Sequence, residues 1–127
     1  MKRYVIGDIH GAHRALIQVL TRAQFDYQAD QLICLGDVAD GWPETKACMD
    51  ELLKIKQLIF ILGNHDKWAF DWMKTGWQEA IWIEQGGKAT VQSYGLPWTG
   101  YGIKPDIPKS HVRLFEQAYP YYILLRP

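Results

Sequence analysis

Apolar residues fall along this chain in two alternating rhythms. Short unbroken runs stand at Tyr4-Val5-Ile6, Leu32-Ile33-Cys34-Leu35 and Leu58-Ile59-Phe60-Ile61-Leu62. Such runs, each closed by Gly-Asp or Gly-Asn, predict buried strands, the second starting at Gln31 and the third covered on both faces. Between the first two, Ala12, Ala15, Leu16, Val19, Leu20 and Ala23 recur at helical spacing, with Arg14, Gln18 and Arg22 turned to water. A second helix is predicted from Pro43, which suits a first turn, with Glu44 near its start and Lys54 and Lys56 near its end. Its inner face is Cys48, Met49, Leu52 and Leu53, with Ile55 at the edge. Strand, helix, strand, helix, strand with short links implies right-handed crossovers and a parallel sheet.

Beyond the third strand the pattern predicts a helix over Lys67 to Thr75, with Trp68, Ala69, Trp72 and Met73 inward and Gly76 as its stop. From Trp77 to Pro105 the rhythm weakens. Gly86-Gly87 reads as a turn, Lys88 to Tyr94 as a short helix closed by Gly95, and Pro97, Gly100, Gly102 and Pro105 as loop. A further helix is expected over Pro108 to Ala118, capped by Asp106, with Val112, Leu114, Phe115 and Ala118 apolar. Tyr121 to Leu125 is a strand candidate. The whole of 1–127 reads as a single domain.

Composition narrows the class without choosing a function. Fourteen basic and fourteen acidic residues cancel, so bulk charge gives no support to a nucleic-acid or acidic-membrane partner. No apolar run approaches the ~20 residues of a membrane span. The first apolar run is too short for a signal-peptide core. Cys34 and Cys48 lack C-x-x-C spacing and read as reduced core thiols, which makes a cytoplasmic address the expectation.

The chemistry sits at the strand ends. Asp8-Ile9-His10, Asp37-Val38-Ala39-Asp40 and Asn64-His65-Asp66 each follow an apolar run, and open α/β sheets bind ligands at the carboxyl ends of their strands. On an extended backbone Asp8 and His10 point the same way, so both face one metal ion with an oxygen and a nitrogen. Asp37 has two oxygens for bridging two ions, and Asn64 offers a neutral oxygen to the second. His65 is then free to give a proton to a leaving oxygen, with Asp40 orienting its ring. A lone Gly-Asp or Gly-Asn is usually a turn; the joint occurrence at three strand ends makes the site. His13 and His111 read as surface residues. The aromatic-rich middle (Trp68, Phe70, Trp72, Trp77, Trp82, Trp98 and Tyr101) reads first as core and loop anchoring, second as a substrate- or partner-facing surface. Lys88 reads as solvated, with a phosphate contact as the second reading.

The motifs Gly7-Asp8-Ile9-His10-Gly11, Gly36-Asp37-Val38-Ala39-Asp40 and Gly63-Asn64-His65-Asp66 resemble those of the calcineurin-like metallophosphoesterases. Within that family the chain looks most like the branch of phosphoprotein phosphatases and diadenosine tetraphosphate hydrolases. Gly86-Gly87-Lys88-Ala89-Thr90 through Ser93-Tyr94-Gly95 matches a segment of the branch, as does the Ile107-Pro108 helix running into Tyr121-Tyr122. The resemblance implies an α/β fold, the parallel-sheet half of an αββα sandwich. It also implies Asp8, His10 and Asp37 at one metal, Asp37 and Asn64 at the other, and an Asp40–His65 pair for protonating the leaving group.

Two departures accompany the resemblance. The branch continues its second motif with Asp-Arg-Gly, and here Asp40 is followed by Gly41-Trp42, so the phosphate-holding arginine is missing. Two later histidine motifs of the family are also missing, and His111 matches neither, so the C-terminal part of the family fold is expected to be lacking. The expected activity is dimetal hydrolysis of phosphate mono- or diesters by a metal-bridging hydroxide, with His65 as general acid and two Mn, Fe or Zn ions as cofactors. Phosphoprotein, nucleotide and small phosphoester all remain open as substrate. The alternative is a non-catalytic metal-binding or interaction module. Self-association through the C-terminal strand is a further expectation.

Overall fold

The computed structural model describes residues 1–97 and 103–124. Three parallel strands, β1 (Arg3–Ile6), β2 (Gln31–Cys34) and β3 (Gln57–Phe60), lie in the order β1-β2-β3. Tyr4, Leu32 and Leu58 stand abreast, as do Ile6, Cys34 and Phe60. Helix α1 (His13–Arg22) links the first pair and α2 (Thr45–Leu52) the second. α3 (Asn64–Thr75) follows, then a short α4 (Ala80–Trp82), a π-type turn (Ile83–Gly87), α5 (Lys88–Ser93) and α6 (Lys109–Glu116). None of the helices among the described residues is long and apolar enough to cross a membrane.

The core gathers on one side of the sheet. Leu16 and Leu20 of α1, Cys48, Met49 and Leu52 of α2, and Ala69, Trp72 and Met73 of α3 pack with Leu32, Cys34 and Phe60. Strands added consecutively in one direction through right-handed crossovers put their linking helices on the same face. The opposite face is therefore thinly covered, and Val5 and Leu35 are 61% and 48% exposed on it. This corrects the expectation of buried strands, the third covered on both faces: in that third run Leu58, Ile59, Ile61 and Leu62 are only half-buried, because a continuous apolar run does not report which side its helices take. Ala15 and Val19, which the helical spacing placed inward, are exposed.

Several boundaries also move. α2 ends at Leu52, so Lys54 and Lys56 lie beyond it, and Leu53 is exposed while Glu51 is buried. Lys54 pairs with Glu51 at 3.0 Å. α3 begins at Asn64 rather than Lys67, which places the third motif in its first turn. Gly76 ends it with φ 79°, its N–H bonded to the Trp72 carbonyl as a left-handed C-cap requires. Asp106 does not cap α6, whose N-cap is Pro108. Tyr121 to Leu124 form no strand. The chain instead touches β3's continuation earlier, through a parallel bridge between Ile61 and Tyr119. A self-pairing edge at Tyr121–Leu124 thus loses its basis, and Leu125 lies outside the described residues.

His111 is fully buried, against the expectation of a surface residue. Its Nε2 lies 2.6 Å from Asp50 Oδ1 and its Nδ1 2.7 Å from the Tyr94 hydroxyl. A carboxylate only accepts, so Nε2–H donates to Asp50 and Nδ1 accepts from Tyr94 in the neutral ring. The imidazole thereby ties α6 to α2 and to the end of α5. Helical periodicity records apolar positions, and a buried histidine satisfied by two distant partners leaves no mark in it. Replacing His111 by Leu is expected to cost about 2 kcal/mol, because it strands the Tyr94 hydroxyl. Denaturant unfolding of His111→Leu, Tyr94→Phe and the double variant checks this. The expected double-variant loss is smaller than the sum of the singles.

Candidate metal centre

The three loops at the carboxyl ends of the strands are stitched to one another by peptide groups. The Asp37 carbonyl accepts from the Ile9 and His10 N–H groups at 3.1 and 2.9 Å, and the Val38 carbonyl accepts from Gly11 at 2.7 Å. Trp42 N–H donates to the His10 carbonyl at 2.9 Å. β1 has ended at Ile6, and His10, Asp37 and Asp40 carry φ values of 47°, 53° and 75°. The Asp8–His10 pair thus lies on a turn rather than on extended backbone. Left-handed conformations in non-glycine residues cost about 1–3 kcal/mol each and persist only where neighbouring groups over-determine them.

For Asp37 that over-determination comes from Asp66, at 0% exposure in the first turn of α3. Its Oδ2 accepts from Asp37 N–H at 2.6 Å and Gly63 N–H at 3.0 Å. Its Oδ1 accepts from Val38 and Ala39 N–H groups at 2.9 and 3.1 Å. Burial outweighs the pull of the N–H donors and raises this carboxyl to about 6, so at neutral pH it is an ionised acceptor. Gly63 is needed beside it because a Cβ there would overlap the Asp37 carboxylate and amide.

Ligand atoms of Asp8, His10 and Asp37 all lie within 4.8 Å of one another. His10 Nδ1–H donates to the Ala39 carbonyl at 3.0 Å, which fixes the tautomer and leaves Nε2 facing Asp8 at 3.4 Å. Burial pulls the His10 pKa down, but the Ala39 carbonyl and the charges of Asp37 and Asp8 outweigh it and leave it raised. Two carboxylate oxygens and a free imidazole nitrogen in this grouping suit a divalent transition metal. Asn64 opens α3, is exposed, and follows the glycine that packs on Asp37.

His65 stands beside this group, its ring 5.0 Å from that of His10 and 5.5 Å from that of Trp68. Its backbone N–H donates to Asp37 Oδ1 at 3.1 Å, and its Nδ1 lies 2.9 Å from Asp40 Oδ2. Asp40 is wholly buried, and desolvation raises its pKa against the donors that surround it. Those donors include Trp82 Nε1–H and the Thr90 hydroxyl. Among the other aromatics, Trp72 is core, whereas Trp68 and Trp77 border a cavity of about 330 Å³ that opens beside Asn64. Trp98 and Tyr101 lie outside the described residues, and Lys88 is exposed at the start of α5.

The roles of Asp66, Trp82 and Thr90 were missed by the sequence reading. Asp66 carried a signal, an acid three residues after the helix N-cap glycine, whose side chain can bond back to the cap. Trp82 and Thr90 reach Asp40 across 42 and 50 residues of chain, a distance no local pattern spans.

The family model for calcineurin-like phosphoesterases matches residues 1–120. Over 84 residues the chain is 34% identical to serine/threonine-protein phosphatase 1 of Salmonella typhimurium, covering 66% of this chain and 38% of that protein. It is 41% identical over 70 residues to the symmetrical bis(5'-nucleosyl)-tetraphosphatase of Photorhabdus laumondii, covering 52% of this chain and 24% of that one. A crystal structure of a provisionally named diadenosine tetraphosphatase superposes with a TM-score of 0.63 at 22% identity, covering 91% of this chain and 42% of that chain. The chain therefore matches less than half the length of each of these relatives.

Asp66→Asn is expected to destabilise the fold by about 3 kcal/mol, since its amide sets new N–H donors against backbone donors that have lost their charged acceptor. Urea unfolding of the variant beside the parent checks the loss. A change below about 0.5 kcal/mol, the size of an ordinary surface substitution, would remove Asp66 from its organising role.

Proposed function

Because the chain belongs to the calcineurin-like phosphoesterase family, we propose that its site hydrolyses phosphate esters, with metal held by Asp8, His10, Asp37 and Asn64 and with His65 as proton donor. The observation that carries the reading is the placing of the His65 ring 5.0 Å from His10, beside a three-ligand group spanning 4.8 Å. Asp8, His10 and Asp37 form a donor set for one ion. Asp37 and Asn64 are this chain's donors for a second, with manganese, iron and zinc all suited to mixed oxygen and nitrogen ligation. Bound there, the ions supply an activated water and offset charge on the phosphoryl oxygens.

The protein's own groups do the rest. Asp40 accepts a hydrogen bond from His65 Nδ1–H, so the opposite nitrogen is the one presented to the site. The Asp37 carboxylate, receiving the His65 N–H, couples the ligand loop to the proton donor. The cavity beside Asn64, lined by Lys67, Trp68, Asp71 and Trp77, gives the substrate's remote part a place with both charge and aromatic surface. Phosphoprotein, nucleotide and small phosphoester substrates are each compatible with it. A module that only bound metal would have no use for a buried carboxylate aimed at a second, non-ligating imidazole, which favours the enzyme over the interaction module. A cytoplasmic location accords with the two free, buried cysteines.

His65→Asn is expected to slow hydrolysis of alkyl phosphates far more than of aryl phosphates with acidic leaving groups, by about 10²–10⁴-fold on the former. Steady-state rates across a leaving-group series check it; equal loss throughout would make His65 structural. Manganese affinity of the 127 residues is expected to drop more than tenfold in Asp37→Asn. It is also expected to weaken as pH falls through the raised His10 pKa, because a protonated imidazole cannot ligate. Calorimetric titrations of manganese at several pH values check both.

A further inference from the structure

We propose that Trp82 and Thr90 are positioning residues for the proton donor: together they lock the Asp40 carboxylate so that it holds His65 in a single tautomer. The proposal rests on the reading of His65 as that donor.

Asp40 receives three side chains from three different parts of the chain. Oδ2 takes His65 Nδ1 at 2.9 Å and Trp82 Nε1 at 2.7 Å, while Oδ1 takes the Thr90 hydroxyl at 2.6 Å. The Asp40 N–H donates back to Thr90 Oγ1 at 2.8 Å, so one threonine holds both ends of the residue. Thr45 Oγ1 lies 3.3 Å from Thr90 Oγ1 and fixes the rotor further. Asp40, Trp82 and Thr90 are all at or below 1% exposure, so water does not compete. A carboxylate with only the histidine as partner is free to turn about its terminal torsion and exchange oxygens. With both oxygens occupied by fixed donors it is not.

The chain between these two residues is shaped for the task. In a regular α-helix, eight residues would set Trp82 and Thr90 about 12 Å apart along the axis. Instead the π-type turn folds back through Gly86, at φ 107°. Gly87 lies so close on the Trp82 indole that a Cβ would overlap the ring. The Gly86 carbonyl accepts from Gly41 N–H at 3.2 Å, which ties the turn to the residue after Asp40. Both side chains thereby arrive at one carboxylate. Trp82 is further braced by Trp72, with ring centroids 5.8 Å apart.

The test is long-range ¹H–¹⁵N correlation NMR of the His65 ring in the metal-free 127-residue chain, at a pH where the ring is neutral. The parent is expected to show one tautomer, protonated on Nδ1. In Thr90→Val and in Trp82→Phe, the ring nitrogens are expected to shift to the averaged pattern of two exchanging tautomers, and Thr90→Ser is expected to restore the single one. Backbone amide spectra identify the variants that keep the fold, and either folded variant suffices. A folded Thr90→Val or Trp82→Phe that retains the single Nδ1–H tautomer would overturn the proposal. The general-acid reading fails separately, through a His65→Asn variant with no leaving-group dependence, and that outcome leaves the NMR result to stand as a purely orienting contact.

Discussion

One buried carboxylate organises this structure. Asp66 collects the N–H groups of Asp37, Val38, Ala39 and Gly63, and so binds the loop after β2 to the loop after β3. Without it, four donors at the bottom of the site would be left without their acceptor, and the left-handed backbone at Asp37 would lack its support. The consequences propagate through peptide groups. The Asp37 carbonyl fixes Ile9 and His10, and the Ala39 carbonyl fixes the His10 ring. The sheet sets the spacing between loops, and hydrogen bonds at their tips set the angles. Burial of an ionised group is tolerable here because charge-assisted donors surround it on both oxygens.

The topology explains both the order of the core and its openness. Two crossovers in the same direction place α1 and α2 on one face, and α3 and α6 join them there, with Phe115 packing between Phe60 and Phe70. The far face of the sheet, carrying Val5 and Leu35, remains half open to water. A longer solved structure shares the fold on which this arrangement is built, and 84 of the present 127 residues align with 38% of the Salmonella phosphatase. Everything needed to assemble the Asp8–His10–Asp37 group and the Asp40–His65 pair nonetheless lies within those residues.

What was legible in the sequence was local. Each apolar run ended in residues that can ligate or titrate, so three strands, their parallel order and the grouping at one rim followed from pattern alone. The strand boundaries at Arg3–Ile6, Gln31–Cys34 and Gln57–Phe60 came within a residue or two of the runs. The rest depends on contacts between distant segments. His111 looks like any polar residue of an amphipathic helix until Asp50 and Tyr94 are seen on either side of it. Trp82 and Thr90 look like core and helix, because the carboxylate they hold lies more than forty positions earlier. Val5 and Leu35 have the composition of buried strand residues, and only the sense of successive crossovers reveals that one face is left open.

Asp8, His10 and Asp37 are proposed to hold a metal ion beside His65. Anomalous diffraction at the manganese edge, from crystals of the 127-residue chain equilibrated with manganese, tests it most directly. The expected result is a peak among Asp8, His10 and Asp37, with the His65 ring adjacent and outside the coordination shell. A saturated crystal whose anomalous density lies elsewhere, or in which His65 itself ligates the ion, would contradict it.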